Sequence, residues 1–356
     1  MDTRWPALLD PSPLTGTIRT APEDFIVEEI PAYLPCGNGS HLMIEIEKRS
    51  RTTDEVIQTL ARHLKISPND IGCAGLKDRH AITRQWLSVP ATAGALLESF
   101  NIEGVAILHS GLHTNKLKTG HLKGNRFTIR VRGLSGDDVN QLQARVDHLA
   151  RRGAPNYFGS QRFGVDQRNE STGLALLRGE KLRLSPRSLR LMLSAAQSAM
   201  FNDVLAQRIK SNLFEQVLPG DVLVKADTGG MFISSDPGID QQRFDAFELH
   251  ITGPIFGPKM KTPTGKAQAL EEQVLAAFNV DPEAFRKYSK LTLGTRRALR
   301  LAPLELNLER EADAFRLQFA LPAGGYATTV LRELVDVKDA ASAGARKPEE
   351  QFSGAY

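Results

Sequence analysis

Residues 75–81 of the chain read Gly75-Leu76-Lys77-Asp78-Arg79-His80-Ala81, and Gln85-Trp86 follows closely. A short strand pattern runs into Gly75 and a second begins at Gln85, so the stretch is predicted to be a glycine-led turn between two strands. Cations on both sides of Asp78 favour the ionised carboxylate that a nucleophile requires. The same cations could contact the phosphates beside a target nucleotide. Spacing alone favours an ordinary turn aspartate, because such triplets are common.

His80 lies two residues after Asp78. In an extended segment the two side chains would share a face, which allows an interpretation of His80 as a general base in a hydrolase of nucleosides or RNA. No serine or cysteine nearby completes a hydrolase arrangement. A packed or hydrogen-bonded histidine is therefore the favoured interpretation.

Strand and helix patterns alternate on both sides of this turn. Strands are predicted at 25–30, 42–48 and 127–132. Thr52 and Glu55 have the spacing of a capping box that opens a helix, and Gly153 closes a second helix that begins near Val139. Two such strand-helix-strand groups predict an α+β fold in which helices cover one face of a largely antiparallel mixed sheet.

The pattern changes at Pro155 and returns to strand alternation at 315–321, which indicates an insertion into a discontinuous first domain. We expect residues 1–154 and 303–338 to form the first domain, residues 155–302 the inserted α/β domain, and residues 339–356 a disordered tail.

The composition indicates a folded protein of the cytoplasm, with 41% hydrophobic and 24% charged residues. The sequence contains no long apolar run that would cross a membrane, and the acid near its N-terminus argues against a signal peptide. Its two cysteines form no metal-binding spacing and no disulfide framework, so we expect no metal.

The net charge of +4 is modest, but cations are unevenly distributed. No acid occurs between Glu103 and Asp137. The six lysines and arginines of this window are Lys116, Lys118, Lys123, Arg126, Arg130 and Arg132. Cations without counter-charges attract a polyanion, so the window predicts nucleic-acid binding. The alternative is a solvated basic segment whose charge is offset by acids elsewhere in the fold.

The stretch from Gly75 to Ala81, with Gln85-Trp86 downstream, resembles the catalytic motif of the TruD family of tRNA pseudouridine synthases. Further blocks resemble the family in the same order along the chain. They are Pro22-Glu23-Asp24-Phe25, Lys123-Gly124-Asn125-Arg126-Phe127, Pro155-Asn156-Tyr157-Phe158-Gly159, Gln161-Arg162-Phe163-Gly164, Ala199-Met200-Phe201-Asn202, and Leu321-Pro322-Ala323-Gly324-Gly325-Tyr326-Ala327-Thr328. The similarity extends from about Leu14 to Val335.

The resemblance implies a catalytic domain of the pseudouridine-synthase fold, built from both ends of the chain, with an inserted TRUD domain. It also implies isomerisation of uridine 13 in tRNA by base flipping, with no metal and no cofactor. We expect a monomer with no obligate protein partner and no membrane association. Two alternatives stay open: the same chemistry at another RNA site, and a non-catalytic RNA-binding protein.

By position, the resemblance implies that Asp78 is the nucleophile and that Arg19 pairs with it and orients it. It assigns contacts with the target nucleotide to Phe25 and Asn125, packing against the base to Phe127, and a further contact to Tyr326, where the family usually has Phe. Lys77 and Arg79 complete the expected substrate-binding set. Without the resemblance, Phe25 and Phe127 on apolar strands would be interpreted as core residues.

Overall fold

The computed structural model describes residues 4–302 and 304–343. Within these residues, no helix is both long enough and apolar enough to cross a membrane. Contacts divide the chain into two compact units. The sheet unit consists of residues 13–146, 305–324 and the chain from 335 onward, and the helical unit consists of the chain up to residue 12, 147–304 and 325–334. Most of the tail predicted from residue 339 lies outside the described residues.

The strands, in chain order, are β1 (Thr15–Ile18), β2 (Phe25–Pro31), β3 (His41–Arg49), β4 (Gly72–Cys73), β5 (Ile82–Pro90), β6 (Val105–His113), β7 (Leu122–Arg132), β8 (Ala154–Pro155), β9 (Val222–Lys225), β10 (Met231–Ile233), β11 (Leu249–Ile255), β12 (Thr295–Ala298), β13 (Arg300–Leu301), β14 (Asn307–Arg310), β15 (Ala314–Pro322) and β16 (Asp336–Asp339). The α-helices are α1 (Thr53–Leu64), α2 (Val139–Arg152), α3 (Arg168–Leu177), α4 (Pro186–Lys210), α5 (Pro237–Asp245), α6 (Gly265–Ala277), α7 (Ala284–Lys287), α8 (Ala327–Leu334) and α9 (Ala340–Ala343).

A mixed sheet forms the sheet unit, with the strand order β14-β15-β7-β2-β5-β3-β6. Its neighbouring strands along this path are antiparallel except for β2 and β5, which are parallel. At one side, β1 pairs with β7 and, in parallel, with β16. The prediction of an α+β fold with a largely antiparallel mixed sheet is therefore confirmed.

Helix α1 begins at the predicted capping box. The Thr52 hydroxyl accepts a hydrogen bond from the Glu55 amide at 3.1 Å, and the Glu55 carboxylate accepts one from the Thr52 amide at 2.9 Å. Val56, Leu60 and Leu64 share one face, as the helical period requires. They are buried against apolar side chains of β3 and β5. This packing fixes the start of α1 beside the loop that joins β4 to β5.

The helical unit is built around α4. Small residues of this helix, including Ala196 and Ala199, are fully buried. Helix α3 packs closely against α4. A Cβ placed on Gly173 of α3 would lie 2.0 Å from the carbonyl oxygen of Met192 in α4. A second sheet of this unit has the order β10-β9-β11-β12. Residues Ala91–Ser99 of the sheet unit form a 3₁₀-helix.

Candidate active site

The loop between β4 and β5 contains Asp78. Buried polar side chains of β5 and α1 hold this loop in place. Gln85 of β5 donates to the Gly75 carbonyl at 3.3 Å, and its own amide oxygen accepts from the Thr53 hydroxyl at 2.8 Å. The same hydroxyl accepts from the Lys77 amide at 2.9 Å. Gln85 and Thr53 are buried, so these bonds are sheltered from water. The backbone around Asp78 is thereby attached to both β5 and α1.

Arg19 bridges two carboxylates of the sheet unit. It donates to Asp78 at 3.1 Å and to Asp339 at 2.8 Å. The Asp78 side chain is 55% exposed, whereas that of Arg19 is 14% exposed. The site therefore presents an accessible carboxylate against a guanidinium that the protein holds in place.

Arg19 also has a backbone conformation that is uncommon for a residue with a side chain. Its φ of 57° lies in the left-handed region. Such a conformation costs free energy and persists where the surrounding structure fixes it. It occurs immediately after β1 and turns the side chain toward Asp78 and Asp339.

Two predicted base-contacting aromatics lie beneath Arg19. The Arg19 guanidinium is 4.0 Å from the centre of the Phe25 ring. Phe25 meets Phe127 edge-on at 6.2 Å, and Phe127 stacks on Phe319 at 5.5 Å. Phe25 and Phe127 are 2% and 7% exposed, so both rings are part of the core in this structure.

Lys77 points into the protein. Its ammonium group donates to the amide oxygen of Asn125 at 2.5 Å and forms an ion pair with Glu29 at 3.2 Å. Burial raises the pKa of the Glu29 carboxyl, and the charge of Lys77 opposes this shift. Lys77 thus joins the Asp78 loop to Asn125 of β7 and to Glu29 of β2.

The other residues of the motif face outward. Arg79 forms an ion pair with Glu55, and both side chains are partly exposed. His80 is exposed in the loop, so it is not a packed histidine, and the alternative of a hydrogen-bonded histidine stays a prediction. Because residues 74–81 are not in a strand, the shared face that paired His80 with Asp78 is absent as well.

Tyr326 belongs to the helical unit, where it follows β15 and precedes α8. Its ring lies 6.2 Å from that of Phe158, in an edge-on arrangement. A Cβ on Gly159 would lie 2.8 Å from the Tyr326 ring, so a glycine is needed there for this close approach. The aromatic and glycine block at 155–164 therefore supports Tyr326.

Part of the basic window 103–137 has counter-charges from elsewhere in the fold, as the alternative interpretation of this segment supposed. Arg130 pairs with Glu311 at 2.7 Å, and Arg132 pairs with Asp24 at 2.7 Å and also with Asp313. The acids come from the segments before β2 and between β14 and β15, which the sheet brings beside β7. Lys118 and Lys123 are the exposed lysines of the window.

Two carboxylates near Asp78 had no assigned role in the sequence. Asp339 lies in the segment predicted to be disordered, and no local pattern indicated its contact with Arg19. Glu29 follows Glu28 at a position of β2 that faces the interior. A carboxylate at a buried strand position was the feature of the sequence that could have indicated its role. Within residues 4–302 and 304–343, no group of His, Cys, Asp and Glu has the arrangement of a metal site.

Comparison with known proteins gives a consistent result over nearly the whole length. The family model described as tRNA pseudouridine synthase D (TruD) matches residues 7–183 and 181–334. A tRNA pseudouridine synthase D of Anaeromyxobacter sp. (strain Fw109-5) is 44% identical, with 94% of this chain and 95% of the relative covered. Another, from Thermus thermophilus, is 44% identical, with 94% and 93% covered.

A solved structure has the same fold. It is described as a tRNA pseudouridine synthase D (TruD) of Methanosarcina mazei, and it is 24% identical with a TM-score of 0.78. The comparison covers 94% of this chain and 96% of the other.

Proposed function

Because the chain belongs to the TruD family of tRNA pseudouridine synthases, we propose that it converts uridine 13 of tRNA to pseudouridine, with Asp78 as the nucleophile. The observation that carries this proposal is the accessible Asp78 carboxylate held by the largely buried Arg19. An ionised carboxylate in a fixed position is what nucleophilic catalysis requires.

The reaction breaks the bond between C1′ and N1, turns the uracil and joins C1′ to C5. Substrate and product are isomers, so the overall reaction balances without an oxidant, a reductant or a transferred group. The target base must leave its stack, at a cost of about a few kcal/mol. Contacts with aromatic side chains recover part of this cost, about 1–3 kcal/mol for a stacked base.

The surrounding residues suit this chemistry. Lys77 binds the amide oxygen of Asn125, which leaves the Asn125 amide nitrogen directed elsewhere as a donor for a uracil carbonyl. Arg19 covers one face of Phe25 and Phe319 stacks on Phe127, so a contact of the base with either ring requires a movement of the side chains around it. Arg79 exchanges Glu55 for a phosphate of the RNA. A further contact from Tyr326 is expected from the family resemblance alone.

Asp78→Asn tests the role of the nucleophile. The variant keeps the shape of the side chain, so we expect tRNA binding close to that of the wild type and no pseudouridine formation. Asp227→Asn, an exposed aspartate of the helical unit, is the matched control and should modify tRNA normally. Turnover by Asp78→Asn would refute the assignment.

The position in tRNA is tested separately, by mapping pseudouridine in cellular tRNA with and without the gene. Loss at position 13 alone is the expected result. Loss at another position would keep the reaction and overturn the site, and an unchanged map would favour a non-catalytic RNA-binding protein.

A further inference from the structure

Lys48 of β3 is a buried lysine that points at the Asp78 loop from inside the sheet unit. The residue has no exposed surface. Its ammonium group donates to the backbone carbonyls of Arg51 at 2.6 Å, Asp78 at 2.8 Å and Lys77 at 3.4 Å. Two of its three acceptors therefore belong to the loop that contains the proposed nucleophile.

The surroundings of Lys48 do not include an ion-pair partner among the described residues. The residues opposite it on the neighbouring strands are Thr83 and Val105, which are uncharged. Asp78 and Glu55 are the acids whose charges favour the ammonium form, and Lys77 is the cation that opposes it. Burial of a charge without a paired carboxylate costs free energy, whereas a methionine would fill a similar volume at no such cost. Packing therefore does not explain a lysine here.

The loop contacts explain it better. Gln85 holds Gly75 and Thr53 holds the amide of Lys77, but both of these act before Asp78 in the chain. The bond from Lys48 is made to Asp78 itself. Because the Asp78 carboxylate is half-exposed, its direction depends on this backbone bond together with Arg19. A displacement of about 1 Å at a reacting group can cost about 10²-fold in rate.

We propose that Lys48 is a positioning residue for the isomerisation: its ammonium group fixes the carbonyls of Lys77 and Asp78 and thereby directs the Asp78 carboxylate at the substrate. The inference rests on the proposed function of Asp78. Lys48 itself touches neither the RNA nor the reacting atoms.

A positioning role of this kind depends on pH. Burial lowers the pKa of Lys48 to about 8. Below that pH the ammonium group holds the loop with charge-assisted hydrogen bonds, and above it the neutral amine loses the charge and one donor. The turnover number should therefore fall as pH rises through about 8, while tRNA binding at the outer surface should change little.

The experiment measures kcat and KM for a tRNA substrate from pH 6.5 to about 9.5, a range that spans the pKa expected for Lys48. Lys48→Met removes the donors, and Lys65→Met, an exposed lysine at the end of α1, is the matched control. We expect Lys48→Met to lower kcat about tenfold or more at pH 7 with KM within about threefold. The wild type and the control should show an alkaline decline in kcat that Lys48→Met lacks.

Lys48→Gln, which keeps an uncharged donor, covers the case in which the methionine variant does not fold, as judged by circular dichroism. It should also lack the alkaline decline. Folded variants with the wild-type kcat, or with the same pH profile as the wild type, would overturn the inference. If the wild type forms no pseudouridine at all, the proposed function fails instead, so the two failures are distinguishable.

Discussion

At the level of single residues, Arg19 links the groups of the site. It donates to Asp78 and Asp339 and covers the ring of Phe25. The contact between Arg19 and Asp78 was expected from the family resemblance and is present in the structure, although its catalytic role stays a prediction. The second carboxylate was not expected, because Asp339 reaches Arg19 only through the pairing of β16 with β1.

We expect Arg19→Ala to lose far more rate than binding. Without the guanidinium, the Asp78 carboxylate is free to turn, and misplacement of a reacting group costs about 10²-fold in kcat. The dissociation constant for tRNA should stay within about threefold, since Arg19 already has two carboxylate partners. Arg49→Ala is the control, because Arg49 is half-exposed and pairs with Glu23. Equal losses of rate and affinity would identify Arg19 as a phosphate contact.

At the level of elements, the sequence predicted what local patterns decide. Helix α1 was predictable because its cap and its apolar face are encoded within a few residues. Strands β3 and β7 were predictable from alternation for the same reason. The ion pairs of Arg130 and Arg132 in β7 were not predictable. Their partners, Glu311 and Asp24, are distant in sequence and lie beside β7 only in the folded sheet. Lys48 was unpredictable for the same physical reason.

The cap of α1 should make a measurable contribution to stability. Thr52→Ala removes the hydroxyl that accepts from the Glu55 amide and should lower the free energy of unfolding by about 1 kcal/mol. Thr59→Ala on the same helix is the control, because the Thr59 hydroxyl donates back to the Glu55 carbonyl and accepts only from the exposed Arg62 side chain, so its loss should destabilise the helix little. Urea unfolding of both variants measures the difference. Equal stability of the two would contradict the capping role.

At the level of the whole molecule, exposed cations are concentrated in a second segment, which was not predicted from the sequence. The loop after α3 contains Lys181 and Arg183, and the first turns of α4 contain Arg187 and Arg190. All four are exposed and, among the described residues, without a carboxylate partner. They contrast with Arg130 and Arg132, whose charges are neutralised. Uncompensated surface cations are the groups that release counterions on binding a polyanion.

This contrast predicts a salt dependence of tRNA binding. The combined variant Arg183→Gln, Arg187→Gln and Arg190→Gln should reduce the slope of log affinity against log salt by about 1 for each phosphate that the variant no longer binds. The matched control replaces three paired arginines, Arg243, Arg286 and Arg316, with Gln and should leave the slope nearly unchanged. An unchanged slope in the first variant would exclude this segment from the RNA interface.

The sequence patterns did not predict which segments of the chain group together in each compact unit. The predicted break near residue 154 rests on composition, and the assignment of a catalytic and an inserted domain stays a prediction. The structure groups residues 325–334 with the helical unit, although the strand before them belongs to the sheet unit. No local pattern encodes such a grouping, because contacts between distant segments decide it.

The pairing of β1 with β16 has a consequence for synthesis on the ribosome. Arg19 and Asp78 are translated before residues 325–334 of the helical unit, whereas Asp339 and β16 leave the ribosome after them. A nascent chain that stops before β16 has Asp78 but not the second carboxylate that holds Arg19. Termination at that stage therefore leaves β1 without β16 beside it and the Arg19 bridge incomplete, so the site is complete only after residue 339 has been synthesised.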